Sequence, residues 1–321
     1  MLVPDYYPEF HCKMGKCRHT CCFGWPISVS MQDYFRLLGL ECKESLRRKL
    51  DVSLHLFEHP TEERYAQLCP GYDGNCTMIL PDGRCALHAE LGTSAFPSIC
   101  RLYPRRIQHG ECSCTNSCEA VLEMFLHREK PIEFCRMEPS EAEGLSADWE
   151  SRYSLLRCLQ NRTLSLPDRI RAIASLQKEV TSERGVELAM DLVKAVVEKS
   201  PSVSPYGTAA LQWFRTQGRH SETATHFAEQ LPQWEVVFEH MLVNHLFFMG
   251  ACERADTTLI AIYALLRLLC LGWMAEHTGE DQFIDVCAAT FRFVAHTSFE
   301  GFAEHFLKDT TPAERDALLW V

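Results

Sequence analysis

The chain has 321 residues, enough for one large domain or two ordinary ones, and its 46% hydrophobic content is that of a globular protein with a buried core. Lys and Arg number 32 against 43 Asp and Glu, a net charge of -11. That balance does not suit nucleic acid, which needs clustered Lys and Arg, so no nucleic-acid partner is expected. Cysteine departs furthest from the average, with 17 residues, 13 of them before Arg136. Charge divides at the same place: residues 1–136 carry 16 basic against 17 acidic side chains, net -1, and residues 137–321 carry 16 against 26, net -10. The expected fold is mainly α, with a cysteine-rich, loop-dominated metal-binding module over 1–136 followed by an all-helical domain over 137–321. The acidic half can attract a lysine-bearing protein or carry only solvated helix faces.

The first dense stretch is FHCKMGKCRHTCCFGW, Phe10 to Trp25, which holds Cys12, Cys17, Cys21 and Cys22. Gly15 and Gly24 permit tight turns there, and Trp25 supplies an indole to pack over the thiols. The opening MLVPDYYPEF has no basic n-region and no apolar h-region, so a cytoplasmic location is expected. In a reducing compartment, thiols this crowded bind metal rather than pair as disulfides.

Ser30–Leu50 reads as one or two short helices, with Ser30 as the N-cap and Asp33 in the first turn. CTMILPDGRCALH follows, two apolar runs around Pro81-Asp82-Gly83, and predicts a small hairpin whose turn is bracketed by Cys76 and Cys85. Cys100 comes after Pro97 and just before Arg101-Leu102-Tyr103-Pro104-Arg105-Arg106, then Cys112, Cys114 and Cys118 form a second group. The period is helical from 118 to 127, and a spacer with Pro131, Pro139 and Gly144 places the boundary near 137. Beyond it, Pro167-Asp168 opens a helix. Apolar residues recur at helical steps through Ile170, Ile173, Ala174 and Leu176, then Val186 to Val196. Further helices are expected over 206–216, 233–249, 256–276 and 280–296, with a short one after Pro312. Thr257–Ala275 approaches the ~20 apolar residues of a membrane span. Arg267 interrupts it and no basic loop flanks it, so it reads as a buried core helix, with no membrane insertion.

Three readings compete for the cysteines: an iron–sulfur cluster, structural zinc, or a reactive thiol cluster. Zinc favours CxxC-type pairs and none occurs, whereas iron–sulfur clusters draw ligands from varied spacings, which puts that reading first. Cys17-x3-Cys21 begins a CxxxCxxC loop, but Gly24 stands where the third thiol belongs. There is no GxGxxG, no GxxxxGK[ST] and no HExxH.

Four stretches together resemble the flagellin lysine-N-methylase family, itself related to cysteine-cluster proteins labelled zinc- or iron-chelating. They are FHC-x4-C-x3-CC-x-GW-x-I from Phe10, C-x-MI-LPDG-x-C-x-L from Cys76, LG-x4-P-x2-CRLYPR from Leu91, and Cys118 with Glu119-Ala120. A fainter match is FEHMLVNHLFF, Phe238 to Phe248, where the family has a Glu and an Asn on an apolar helix. The resemblance implies S-adenosylmethionine-dependent methylation of flagellin surface lysines by a protein holding a [4Fe-4S] cluster. It nominates Cys12, Cys17, Cys21, Cys22, Cys76, Cys85, Cys100 and Cys118 as the cluster set, leaving Cys42, Cys69, Cys112, Cys114 and Cys135 as packing residues.

Methylating a lysine requires the neutral amine, and lysine's reference pKa is about 10.4, so a base or desolvation is needed. Tyr103 and Glu239 are the candidate bases. Against them stand a packing tyrosine and an exposed acidic stripe with Glu235, four residues earlier. His245 reads as a core histidine. Arg101 and Arg105, with Trp25, are the candidate cofactor contacts, and the arginines can equally neutralise a thiolate-ligated cluster. The alternative to an enzyme is a non-catalytic protein-binding module stabilised by zinc or an iron–sulfur cluster.

Overall fold

A computed structural model describes the chain except for residues 19, 24–26, 138–148, 178–182, 217–220, 250–252 and 321. Trp25, Pro139, Gly144 and Cys252 therefore lie outside the described residues. The chain forms two compact units: His11–Arg105, and a second made of Met1–Phe10 with Arg106–Val321.

A short strand, β1 (Leu2–Pro4), and a 3-10 turn at Tyr7–Glu9 precede the His11–Arg105 unit. That unit contains β2 (Ile27–Val29), α1 (Met31–Leu38), α2 (Glu44–Ser53), β3 (Leu54–Leu56), β4 (Ala66–Leu68), α3 (Ala86–Leu91) and α4 (Ser98–Leu102). Ser30 caps α1, its hydroxyl accepting the Asp33 amide at 3.2 Å. β4 lies between β2 and β3 in an antiparallel sheet, with Val29 opposite Ala66 and Leu56 opposite Ala66 on the other side. Under this sheet Val29, Leu37, Leu50, Leu68, Met78 and Leu87 make a small apolar core. Most of the unit's remaining chain is loop, as its spacing of turn residues implies.

The second unit continues with β5 (Arg105–Gln108), β6 (Glu111–Cys114), α5 (Glu119–Leu126) and β7 (Phe134–Arg136). Helices follow: α6 (Trp149–Leu159), α7 (Leu166–Ile173), α8 (Glu183–Lys199), α9 (Ser204–Thr216), α10 (Ser221–Met249), α11 (Ala255–Met274), α12 (Glu280–His296), α13 (Phe299–Leu307) and α14 (Pro312–Leu318). β1 is parallel to β6 and antiparallel to β7, in the order β5-β6-β1-β7. This pairing explains why the units do not divide near residue 136. The N-terminal strand ties residues 105–136 to itself, and α5 then packs on α10 and α12, so Cys112 and Cys114 sit on a buried strand of the helical unit.

The helices at 206–216, 256–276, 280–296 and after Pro312 are present within a few residues of their expected ends, α10 begins at Ser221, twelve residues before the expected 233, and α7 opens at Ser165-Leu166-Pro167. The sequence reading omitted α13, whose Phe299, Phe302 and Phe306 pack in sequence along one side. By length and composition α11 could cross a membrane, but 78% of its apolar window is buried in the protein. It is the core helix that Arg267 foretold. α9 crosses it so closely that a β-carbon on Gly272 would lie 2.2 Å from the Ala210 Cα.

Candidate functional site

Four of the eight nominated cysteines come together in the His11–Arg105 unit: Cys22, Cys76, Cys85 and Cys100. Each arrives on a different local structure. The end of the first cysteine loop pairs antiparallel with the segment before Cys76, through a Phe23–Asn75 bridge, and the Cys76 amide donates to the Cys22 carbonyl at 2.6 Å. The expected hairpin is a tight turn with a single bridge, Ile79 to Cys85, closed by the Gly83 amide on the Leu80 carbonyl at 2.9 Å. Cys85 is the N-cap residue of α3, and Cys100 lies within α4. Asp33 fixes α4, its carboxylate accepting the Ser98 amide at 2.6 Å and the Arg36 guanidinium at 2.7 Å.

The electrostatics record this convergence. Burial pushes the Cys76 thiol up to about 12, and the neighbouring Cys22 and Cys85 add to the rise, while the Met78 amide and Lys49 oppose it. Burial also raises Cys100, with Cys22, Cys76 and Cys85 pushing the same way. Cys85 is raised chiefly by burial and also by Cys22, against the amides of His88 and Leu87. Without a cation among them these thiols hold their protons at neutral pH. A metal would have to displace them, as thiolate ligation always requires.

Four soft sulfurs on three-dimensionally adjacent loops are the donor set of zinc or an iron–sulfur cluster, so the residues present fit the expected group in kind. Among the described residues, no three His, Cys, Asp or Glu side chains are drawn round one point closely enough to hold a metal ion. The quartet is therefore gathered but not closed into a coordination shell.

Of the other nominated cysteines, Cys21 adjoins this group and the rest are placed differently. Cys12 is exposed, and its sulfur accepts the Met14 amide at 3.4 Å. The Cys21 sulfur lies 3.9 Å from that of Cys22. Cys17 lines an open cleft of about 540 Å³ in the same unit, walled also by Gly15, Thr20, Lys49, Asp73, Asn75, Cys76, Thr77 and the Ile79–Pro81 corner. Cys118 belongs to the helical unit, where it is the N-cap residue of α5 and packs on that unit's core.

Of the candidate cofactor contacts, Arg101 is exposed, with its Nη2 donating to Ser98 Oγ at 3.3 Å, and Arg105 begins β5. Neither is among the residues that line the cleft. Tyr103 is half-buried at the C-terminal end of α4, its amide donating to the Ile99 carbonyl at 3.0 Å.

Glu239 is the clearest departure from expectation. It is fully buried, and its carboxylate accepts from Arg162 at 2.9 Å and from Arg169 at 2.6 Å. Arg169 also donates to the Leu159 carbonyl at 2.9 Å. Glu239 thus binds the α6–α7 corner to α10 and presents no surface to an incoming amine. Glu235 points the same way and accepts the Leu166 amide at the start of α7. The acidic stripe is turned inward.

One further polar centre escaped the sequence reading. The Asn244 side chain accepts from Tyr6 and from Ser113, each at 2.6 Å, and donates to the Cys114 carbonyl at 2.8 Å and to Asn116 Oδ1 at 2.6 Å. It joins the N-terminal segment, β6 and α10 in one fully buried network. The available signal was the FEHMLVNHLFF stretch, where Asn244 stands with Glu239, His240 and His245 among apolar residues. His245 beside it is a core histidine as expected, lowered to about 4 by burial and by Arg106.

No family model matches the chain, and no solved structure matches it. Two curated proteins named lysine-N-methylase, from Salmonella typhimurium strain LT2 and Salmonella choleraesuis strain SC-B67, are each 24% identical to it over 103 residues. The match covers 32% of this chain and only 25% of the length of each relative. It is a distant and partial relationship.

Proposed function

We propose that the chain is a protein-lysine N-methyltransferase that uses S-adenosylmethionine, with flagellin as the substrate implied by the sequence resemblance. The observation that carries this reading is the gathering of Cys22, Cys76, Cys85 and Cys100 from the very motifs that resemble that family. The partial likeness to two lysine-N-methylases supports the reaction class. The same four cysteines would hold the [4Fe-4S] cluster, or zinc in its place. When bound, the group would supply a metal centre that cross-links the four segments carrying these thiolates, beside the cleft that Cys76 also lines.

In this reading the cleft receives the cofactor, and its walls fix the position of the sulfonium methyl. The target lysine must arrive neutral. Tyr103, three residues from Cys100, is the remaining candidate to take the amine proton, since Glu239 is committed to two guanidinium groups. The acidic half of the chain favours the approach of a lysine-bearing surface.

The test is transfer of labelled methyl from S-adenosylmethionine to flagellin by anaerobically purified, metal-loaded protein, with mass mapping of the lysines. Labelled lysine is the expected result. If the loaded protein methylates neither flagellin nor any other lysine-rich protein, the reading fails, and the metal-stabilised binding module takes its place.

A further inference from the structure

The open cleft of the His11–Arg105 unit carries two charged residues on its wall, Lys49 and Asp73, of opposite sign. Both are held by local structure. Lys49 comes from α2, is half-buried, and donates from Nζ to the Thr77 carbonyl at 3.1 Å, which tethers the ammonium at the wall. Asp73 is fixed by Asn75, whose amide donates to Oδ1 at 3.0 Å and whose side chain donates to Oδ2 at 2.9 Å. Thr20, Asn75 and Thr77 add hydrogen-bonding groups, and Ile79, Leu80 and Pro81 make one side apolar. The volume of about 540 Å³ falls in the usual range for a small-molecule site.

We propose that this cleft recognises the zwitterionic head of an α-amino acid, with Lys49 facing the carboxylate and Asp73 the ammonium, and the apolar corner packing against the ligand's carbon skeleton. A single tethered ammonium opposed by a carboxylate does not suit a phosphate or a polyanion, which Asp73 would repel. It suits a ligand whose own charges are paired and opposite. Two sources offer that chemistry: the aminocarboxypropyl end of S-adenosylmethionine, and a free amino acid. The choice of the first rests on the methyl-transfer reading; the recognition chemistry does not.

The experiment is isothermal titration of the full metal-loaded chain with S-adenosylmethionine, decarboxylated S-adenosylmethionine, L-methionine and L-lysine. Wild type, Lys49→Gln and Asp73→Asn are compared after their metal content is matched. Lys49→Gln is expected to weaken S-adenosylmethionine about tenfold or more and to leave the decarboxylated form unchanged. Asp73→Asn is expected to weaken both. Should Lys49→Gln lose metal, exposed Asp73 still decides the matter. Wild-type affinity in both variants overturns the proposal while leaving methyl transfer untouched. Binding of a free amino acid but not of S-adenosylmethionine, with the same dependence on the two residues, upholds the cleft and removes the methylase reading. If wild type binds none of the four, the proposal is wrong.

Discussion

Gly15 and Gly83 meet backbone to backbone: a β-carbon on either would lie 2.6 Å from the carbonyl oxygen of the other. Both hold positive φ, +89° and +81°. The contact fastens the first cysteine loop to the turn between Cys76 and Cys85, so that residues 68 positions apart in sequence share one cleft wall. Any side chain at either position drives the loops apart as well as straining the backbone.

Gly15→Ala and Gly83→Ala are therefore expected to abolish metal retention and ligand binding in the cleft. Gly92 makes the comparison informative. Its φ is also positive, +78°, but nothing lies within 4 Å of its β-carbon position. Gly92→Ala should cost roughly 1–3 kcal/mol of stability through backbone strain alone and still retain metal. Metal analysis beside urea unfolding of the three variants checks this, and equal metal loss in all three would refute the role given to the contact.

Glu239→Gln tests the buried ion pairs. Removing the charge leaves Arg169, itself buried, without its counterion, and breaking such a pair costs on the order of 3 kcal/mol or more. The variant should unfold at markedly lower urea, whatever its activity. A variant that unfolds like wild type yet no longer transfers methyl groups would return Glu239 to the role of base.

Much of the helical unit was legible because its signals are local. Ser165 and the Thr311–Glu314 box each cap a helix within three residues, and α11 declares itself by an apolar run. What was not legible depends on contacts across the chain. The Tyr6–Asn244 bond spans 238 positions, and β1 finds its partners at 111 and 134–136. No period in the sequence announces either. The cysteine motifs could not say which thiols would meet, because Cys22 comes near Cys76 only when its loop pairs with Asn75 and Cys76. Cys270 of α11 and Cys287 of α12 meet in the core, where burial and the hydrogen bond between them push the Cys287 thiol well above its ordinary value, a contact that no spacing in the sequence announces. Density of cysteines likewise misplaced the unit boundary, since Cys112 and Cys114 are core residues of β6.

Acid should unfold the helical unit early. Burial lowers His240, His245 and His296 from an ordinary value near 6.5 to about 4 each; Arg106 acts with burial on His245 and Arg292 on His296, whereas the Arg128 carbonyl opposes it at His240. The unfolded chain binds these protons first. Stability from the neutral rings is thus complete above pH 6.5 and is lost as pH falls from 6.5 toward 4, at most on the order of 3 kcal/mol for each ring. Unfolding midpoints measured between pH 7.5 and 4.5 should fall across that window. His245→Phe, which keeps an aromatic ring against Phe291, should flatten the slope. A midpoint independent of pH, or a variant as steep as wild type, would contradict the assignment.

The central claim is that four thiols form one metal centre. It is tested most directly by the metal-to-protein ratio of anaerobically purified single Cys→Ser variants. Changes at Cys22, Cys76, Cys85 and Cys100 should each lose the metal and its charge-transfer absorption, and changes at Cys12, Cys21, Cys118 and Cys135 should leave both at the wild-type level. Full metal content in any of the first four, or its loss from Cys12 or Cys118 variants, would contradict the account.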